Sequence, residues 1–403
     1  MTIEYLTFLF NQLGLPLPTD LHEKLIEREY VVHDFNFICA VNLNYAKQQF
    51  NYVEEYLHKS YKEAEKAFHY SRYLATIIDR KFYQELCLVI KTLPPLGQRE
   101  NFVNEFHWWY QLKQIDIFVP VTNASPLKDT SPLPIVISWE AAVIVVLPTM
   151  TRIGSRYMLR MLRDTIIRRY EDYGYGLFHA AVAVIKEKGI LIVGSKGAGK
   201  TSLLCHFLHA TSADFLANDR VLIGGIKCEN LLFVPLPIRI SNKTIDSIPS
   251  LAQFMAVSPS LNRTLSEETP PTSLVDNKLE LTPRELGIAF DAGLSTTAKL
   301  SVILFPQFKP SLGQGVEFHL INLSDAVPIL RECCFTPNDE SWRDTWVTSR
   351  VKSQAVLESE CQAKIREISS LVPMLAVHFG SQCSPEYLVE KLMEKIELCY
   401  PKW

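Results

Sequence analysis

The chain has 403 residues, 47% of them hydrophobic, which suits two or three folded domains and excludes a disordered polymer. Its 44 acidic and 41 basic side chains leave a formal net charge of −3, so no general attraction to nucleic acid or anionic lipid follows from charge. Nine cysteines with no C-x-x-C pair, an opening Met1–Tyr5 stretch unlike a secretory leader, and apolar runs too short to span a bilayer lead us to expect a cytoplasmic protein with free thiols.

From the first residue to about 125 the expectation is a mostly helical domain of unassigned role. Leu6, Leu9, Leu13 and Leu15 begin an apolar segment that Pro16 and Pro18 end. Tyr45 to Ile90 has helical spacing without proline or glycine, placing Tyr52, Tyr56, Ala64, Ala67, Tyr70 and Leu74 near one face. An aromatic stripe of this kind is read as packing surface before binding box. The aromatic run Phe106–Tyr110 is read as buried at an interface before base-stacking, because no basic groove flanks it. Three prolines with serines and threonines in Thr122–Pro134 mark a linker, giving domains 1–125 and 126–403.

Ile135 to Val146 reads as buried strand in two pieces. Ser155 to Tyr173 reads as a helix with Met158, Leu159, Leu162 and Ile166 on its apolar side. Arg152, Arg156, Arg160, Arg163, Arg168 and Arg169 crowd the remainder. A solvated face is the first reading of these arginines, and contact with an anionic substrate the second. Phe178 to Val184 follows as a strand carrying His179.

The next stretch is the most informative. Ile190–Val193 reads as a strand, and a helix opens at Lys200. Between them Gly194, Ser195, Lys196, Gly197, Ala198 and Gly199, followed by Lys200 and Thr201, fit G-x-x-x-x-G-K-[ST]. Glycines let backbone N–H groups converge on phosphate oxygens, and the new helix adds the positive end of its dipole. Lys200 is assigned to the β/γ-phosphates and Thr201 to Mg²⁺, with Ser202 completing the nucleotide-binding stretch. Ala213 to Gly224 reads as a strand carrying Asp219, nineteen residues after Lys200, as a second metal contact.

Residues 226–234 suggest a hairpin and 235–241 an edge segment. The Ser-, Thr- and Pro-rich stretch 242–275 is read as a long loop, either lid or disordered excursion. Lys299–Phe305 is a buried strand, Val316–Asn322 an outer one, and Thr336–Trp346 a polar loop. A helix over 347–370, a strand over 372–380 and a helix over 384–398 close the chain.

His179, the glycine loop fifteen residues later, a short helix and then Ala217-Asn-Asp-Arg-Val221 together resemble HPr kinase/phosphorylase and its small-molecule or peptide kinase relatives. The resemblance covers about 135–400 and is specific over 175–225. It implies an α/β P-loop kinase domain of HPr kinase/carboxykinase-like type with a mixed sheet, after the helical N-terminal domain. It further implies transfer of the γ-phosphoryl group of ATP, with Mg²⁺, to a hydroxyl on a small molecule or peptide. In that scheme Asp219 is general base, metal contact or both, and Lys200 grips phosphate. His179 meets the acceptor or the transferred phosphate, its alternative being a satisfied core histidine. The pattern departs at Asn218, where the family has a first aspartate. That departure keeps a second reading in view, a nucleotide-sensing module that transfers nothing. No nucleic-acid or membrane partner is expected, and a homo-oligomer is left open. His206 and His209, three apart with no third ligand nearby, are not read as a metal site. Arg220 and Arg239 are candidate anion contacts by position.

Overall fold

The structure is a computed structural model that describes residues 7–8, 10–15, 25–57, 70–102, 105–121, 133–140, 142–150, 152–225, 227–257, 278–339 and 348–399. Packing divides the chain into two units. One comprises Met1–Glu54, Lys59–Ile166 and Asp339–Ser349, the other Glu55–His58, Ile167–Asn338 and Arg350–Trp403.

The first unit is built on an eight-stranded mixed sheet in the order β1-β2-β3-β8-β7-β6-β5-β4. Its strands are β1 (Leu25–Val32), β2 (Phe35–Asn42), β3 (Tyr70–Ile78), β4 (Gly97–Phe102), β5 (Glu105–Leu112), β6 (Ile115–Pro120), β7 (Ile135–Trp139) and β8 (Ala142–Leu147). The β2/β3 and β3/β8 pairs are parallel and the others antiparallel. Helices Leu43–Glu54 and Arg80–Ile90 follow β2 and β3. The second starts where the Asp79 side chain accepts from the Phe82 N–H at 2.8 Å, and it buries Phe82, Leu86 and Ile90 at four-residue spacing. Each such side chain contributes about 1.5–3 kcal/mol of burial before ordering costs.

This sheet corrects two expectations. The N-terminal part is not mostly helical, and the spacing that misled is physical. Residues four apart share a face in a strand as they do in a helix, so Tyr70 and Leu74 fit both. Arg72 through Ile78 are all buried, as in a strand covered on both faces. Ala64 and Ala67 lie outside the described residues. Second, 126–403 is not a separate body, because β7 and β8 pair with β6 and β3 and complete the first sheet. The division falls instead within helix Arg152–Asp172, after Ile166. Residues 122–132 of the expected linker are outside the described ones. The aromatic run near 106–110 is strand β5, with the Trp109 indole donating to Asp116 at 2.9 Å and stacked on Arg99.

The arginine helix also differs from expectation. Arg160, Arg163 and Arg168 are buried, not solvated. Within the first unit Arg160 donates to both Glu105 oxygens at 2.9 Å; within the second, Arg168 and Arg350 share Glu171 at 3.1 and 2.8 Å. Protein carboxylates therefore take the role that an anionic ligand was considered for.

The second unit carries a nine-stranded sheet. Its main path runs β12-β10-β11-β17-β14-β13-β9, with β19 joining β17 and β18 joining β19. The strands are β9 (Gly176–Phe178), β10 (Ala180–Ile185), β11 (Lys188–Val193), β12 (Asp214–Ala217), β13 (Val221–Gly224), β14 (Asn230–Phe233), β17 (Thr297–Phe308), β18 (Val316–Leu320) and β19 (Met374–Phe379); a separate ribbon pairs β15 (Ile238–Ser241) with β16 (Lys278–Leu281). β11 runs parallel to β17 and β17 parallel to β19. Ala181–Val184 and Gly189–Val193 are buried throughout, the pattern of central strands. Helix Lys200–Ala210 packs on β10 and β11, and helix Pro385–Cys399 on it in turn.

Two further readings change here. The stretch from 242 is not a plain loop, since Asn242–Asp246 and Pro249–Val257 are helices, the first capped by the Ser241 hydroxyl on the Thr244 N–H; 258–277 lies outside the described residues. The helix expected from 347 is Gln354–Leu371, begun by a Ser353 cap. Among the described residues no helix is long and apolar enough to cross a membrane.

Candidate functional site

Three segments of the second sheet meet where β9, β11 and β12 end. β11 leaves the sheet at Val193, the glycine loop turns, and helix Lys200–Ala210 begins. Two positions in the turn have left-handed backbone, Gly197 at φ +85° and Gly199 at φ +102°, and at Gly199 a Cβ would also meet the Phe379 ring at 3.0 Å. The new helix anchors itself by burying Leu203, Leu204, Phe207 and Leu208. Its N-terminal N–H groups and dipole therefore open onto a loop of exposed residues, Ser195, Lys196 and Gly197.

Lys200 folds back over this turn. Its Nζ donates to the carbonyls of Gly194 at 2.7 Å and Ser195 at 3.0 Å, and burial pushes its pKa down. The Gly194 N–H faces the Cys333 thiol. Burial raises that thiol above its ordinary value against the pull of Lys200 and the Gly194 N–H. Thr201 donates its hydroxyl to the Asn218 side-chain oxygen Oδ1 at 3.1 Å, and Ser202 shares a 2.9 Å hydrogen bond with Thr244.

His179 and Asp219, forty residues apart, are brought together by the ladder. Ala217 of β12 lies opposite Val182 of β10, while Val221 of β13 lies opposite Phe178 of β9. The two crossings between strand pairs, His179 in one chain segment and Asn218–Arg220 in the other, therefore run side by side. The expected single strand from 213 to 224 is thus two strands, and Asp219 sits in the gap between them with φ +77°. An aspartate tolerates that left-handed conformation at a cost of about 1 kcal/mol or more. β12 neighbours β10, not the loop-bearing β11.

Asp219 is half-exposed, at 44%, and heavily engaged. His179 Nδ1 lies 3.1 Å from its Oδ1 and 3.0 Å from its backbone carbonyl; both are acceptors, which assigns the hydrogen to Nδ1. Arg220 Nη1 donates to Oδ2 at 2.6 Å. Burial works against ionisation, but the His179 hydrogen bond and the Arg220 charge outweigh it and hold the carboxyl well below the usual carboxylate range. Phe335 backs both partners, with Arg220 4.3 Å over its ring and the His179 ring 5.4 Å away. The segment carrying Phe335 is fixed by the His179 N–H on the Cys333 carbonyl and the Phe335 N–H on the Leu177 carbonyl, each 2.7 Å.

The structure thus brings Lys200, Thr201, Asn218, Asp219 and His179 to one place. It joins Thr201 to Asn218, not to Asp219. Cys333 and Phe335 belong to the site and carry no local sequence signal, being over 110 residues from Asp219 and in no recognisable motif. The Thr201 hydroxyl and Asn218 side-chain oxygen, with the Asp219 carboxylate adjacent in sequence, are hard oxygen donors of the kind Mg²⁺ takes. Of the other candidates, His209 bonds Ser250 at 2.9 Å and Glu386 at 3.1 Å, while Arg239 bonds Glu280 at 2.9 Å and its charge also helps to lower the pKa of Asp219.

No family model matches the chain, and no curated protein matches it. Among solved structures it is similar to the Hpr(Ser) kinase/phosphatase from Coxiella burnetii, at 11% sequence identity and a TM-score of 0.24, over 56% of this chain and 92% of that one. A likeness at that score lends no weight to any residue's role.

Proposed function

We propose that the chain binds ATP with Mg²⁺ at residues Gly194–Ser202 and transfers the γ-phosphoryl group to a hydroxyl of a small molecule or peptide, as an HPr-kinase-like phosphotransferase. One observation carries this reading: a lysine folded over a glycine loop at a helix N-terminus stands beside an ionised aspartate that His179 and Arg220 hold in place.

Each group has a task. The Nζ donors of Lys200, together with the loop N–H groups, bind the β- and γ-phosphates. Thr201 and Asn218 would hold the metal, with Asp219 as the nearby carboxylate, and Mg²⁺ would there supply charge neutralisation for the transferring group. Asp219 receives the proton of the acceptor hydroxyl, and His179 orients it. Because its carboxyl is held so far down, Asp219 is a weak base. That suits a loose phosphoryl-transfer transition state, in which the attacking oxygen carries little new charge. The same engagement favours a second reading, a nucleotide-sensing module, since Asp219 is already committed to Arg220 and Asn218 brings no charge to Thr201. We place the protein in a reducing compartment, in keeping with eight free thiols among the described residues.

The discriminating experiment is single-turnover transfer from γ-labelled ATP, to water or to a hydroxyl acceptor. Asp219→Asn should slow transfer about 10²–10⁴-fold with nucleotide affinity nearly unchanged. Equal rates in wild type and variant would favour the sensor.

A further inference from the structure

Away from this site, three side chains converge on the antiparallel ladder between β18 and β19. Glu317 lies directly opposite His378 in register, and His319, two residues on, shares the face of Glu317. His378 Nδ1 lies 3.5 Å and His319 Nε2 3.8 Å from the same oxygen, Glu317 Oε2. All three donor atoms lie within 4.8 Å of one another.

From these distances we infer that Glu317, His319 and His378 form a binding site for a divalent d-block ion, zinc by preference, with water completing the coordination. Bonds of about 2.0–2.1 Å to tetrahedral zinc set neighbouring donors about 3.3 Å apart, so two of the three edges are nearly at their final length. Two imidazoles and one carboxylate are a zinc-type donor set, softer than the all-oxygen shell of Mg²⁺ or Ca²⁺. The lone pair is correctly placed on His378. Its Nδ1 lies 2.9 Å from Lys309 Nζ, a donor only, and this contact outweighs the 3.5 Å one to Glu317 Oε2, so Nδ1 is the unprotonated nitrogen and faces the cluster.

Lys309 is the competitor. Its ammonium lies 2.9 Å from His378 Nδ1 and 3.9 Å from Glu317 Oε2, where a cation is wanted. At 35% exposure it can swing into solvent when the ion enters. No residue of β18 is buried, so that edge rests mainly on its backbone ladder to β19. A metal linking β18 to β19 would pin that edge, and occupancy would stabilise the fold by mass action.

The test is Co²⁺ titration of the full chain after chelator treatment, read by visible d–d absorption, with Zn²⁺ competition and thermal melting alongside. We expect one equivalent in a tetrahedral spectrum without a thiolate-to-cobalt band. Affinity should fall at least about tenfold in His319→Ala, where the side chain is 58% exposed and folding is not at risk, and likewise in His378→Ala. Lys309→Met should bind more tightly than wild type. Absent binding, a thiolate band, or unchanged affinity in His319→Ala would each overturn the assignment. None of these readouts depends on nucleotide binding.

Discussion

The Thr201 hydroxyl donates to the Asn218 side-chain oxygen at 3.1 Å, while the next residue, Asp219, is turned toward His179 and Arg220. Two neighbouring side chains thus serve two different faces of the site. A carboxylate at 218 would put a formal charge beside the Thr201 hydroxyl without disturbing Asp219. Asn218→Asp should strengthen the Mg²⁺ dependence of ATP binding by about tenfold, because metal affinity rises with ligand charge. Asn218→Ala should weaken it. Titrating Mg²⁺ at fixed ATP checks both; if neither variant changes the Mg²⁺ midpoint, Asn218 is not a metal contact.

His206, on the helix that follows the glycine loop, is buried against Phe379, and its pKa is lowered to about 4 by burial, with His209 adding to the effect. In the unfolded chain it titrates near 6.5. Its folded pKa being the lower, the unfolded state takes up the proton first. Stability is therefore whole above pH about 6.5 and declines toward pH 4, by about 1.4 kcal/mol per unit and about 3 kcal/mol in all. His107, lowered to about 4 in the same way, adds a decline of the same sign. Urea unfolding at pH 7 and pH 5 should show a smaller loss in His206→Gln than in wild type. Identical losses would mean that the His206 pKa is not lowered by the fold.

The first sheet makes a prediction about truncation. A fragment starting at 126 would take β7 and β8 away from β6 and β3, exposing Ile135, Ile137, Ile144 and Val146, all buried in the whole chain. It should be insoluble or bind hydrophobic dyes strongly, whereas the full chain should not. A soluble fragment with a cooperative melt would restore a boundary near 125.

That error and its neighbours show what the sequence carries. The strand, glycine turn and helix around Gly194–Thr201 were legible because the constraint is local: left-handed glycines, a helix start, and a lysine one turn away. His179 and Asp219 are legible only through a resemblance, and Asn218 only as a departure from it. Its bond to Thr201 was not foreseen, because it depends on where β12 ends. Cys333 and Phe335 were invisible, since only the pairing of the Phe335 N–H with Leu177 carries them to the site. The burial of Arg160 is not legible in the sequence, because a charge on a helix reveals nothing of a carboxylate 55 residues away such as Glu105. Tyr70–Ile78 passed for helix because its four-residue spacing is shared by both structures.

Nucleotide binding through Lys200 is the claim on which the remainder stands. Its amine bonds the carbonyls of its own loop, so removing it deletes the main positive charge together with two hydrogen bonds of the turn, and the fold of the variant is checked alongside its affinity. Calorimetric titration of ATP with Mg²⁺ into wild type and Lys200→Ala, both shown folded by circular dichroism, tests this directly. The expected result is Mg²⁺-dependent binding in wild type and a loss of at least about tenfold in the variant, as removal of a charge-assisted phosphate contact entails. Equal affinity in the two proteins, or no binding in wild type, would contradict it.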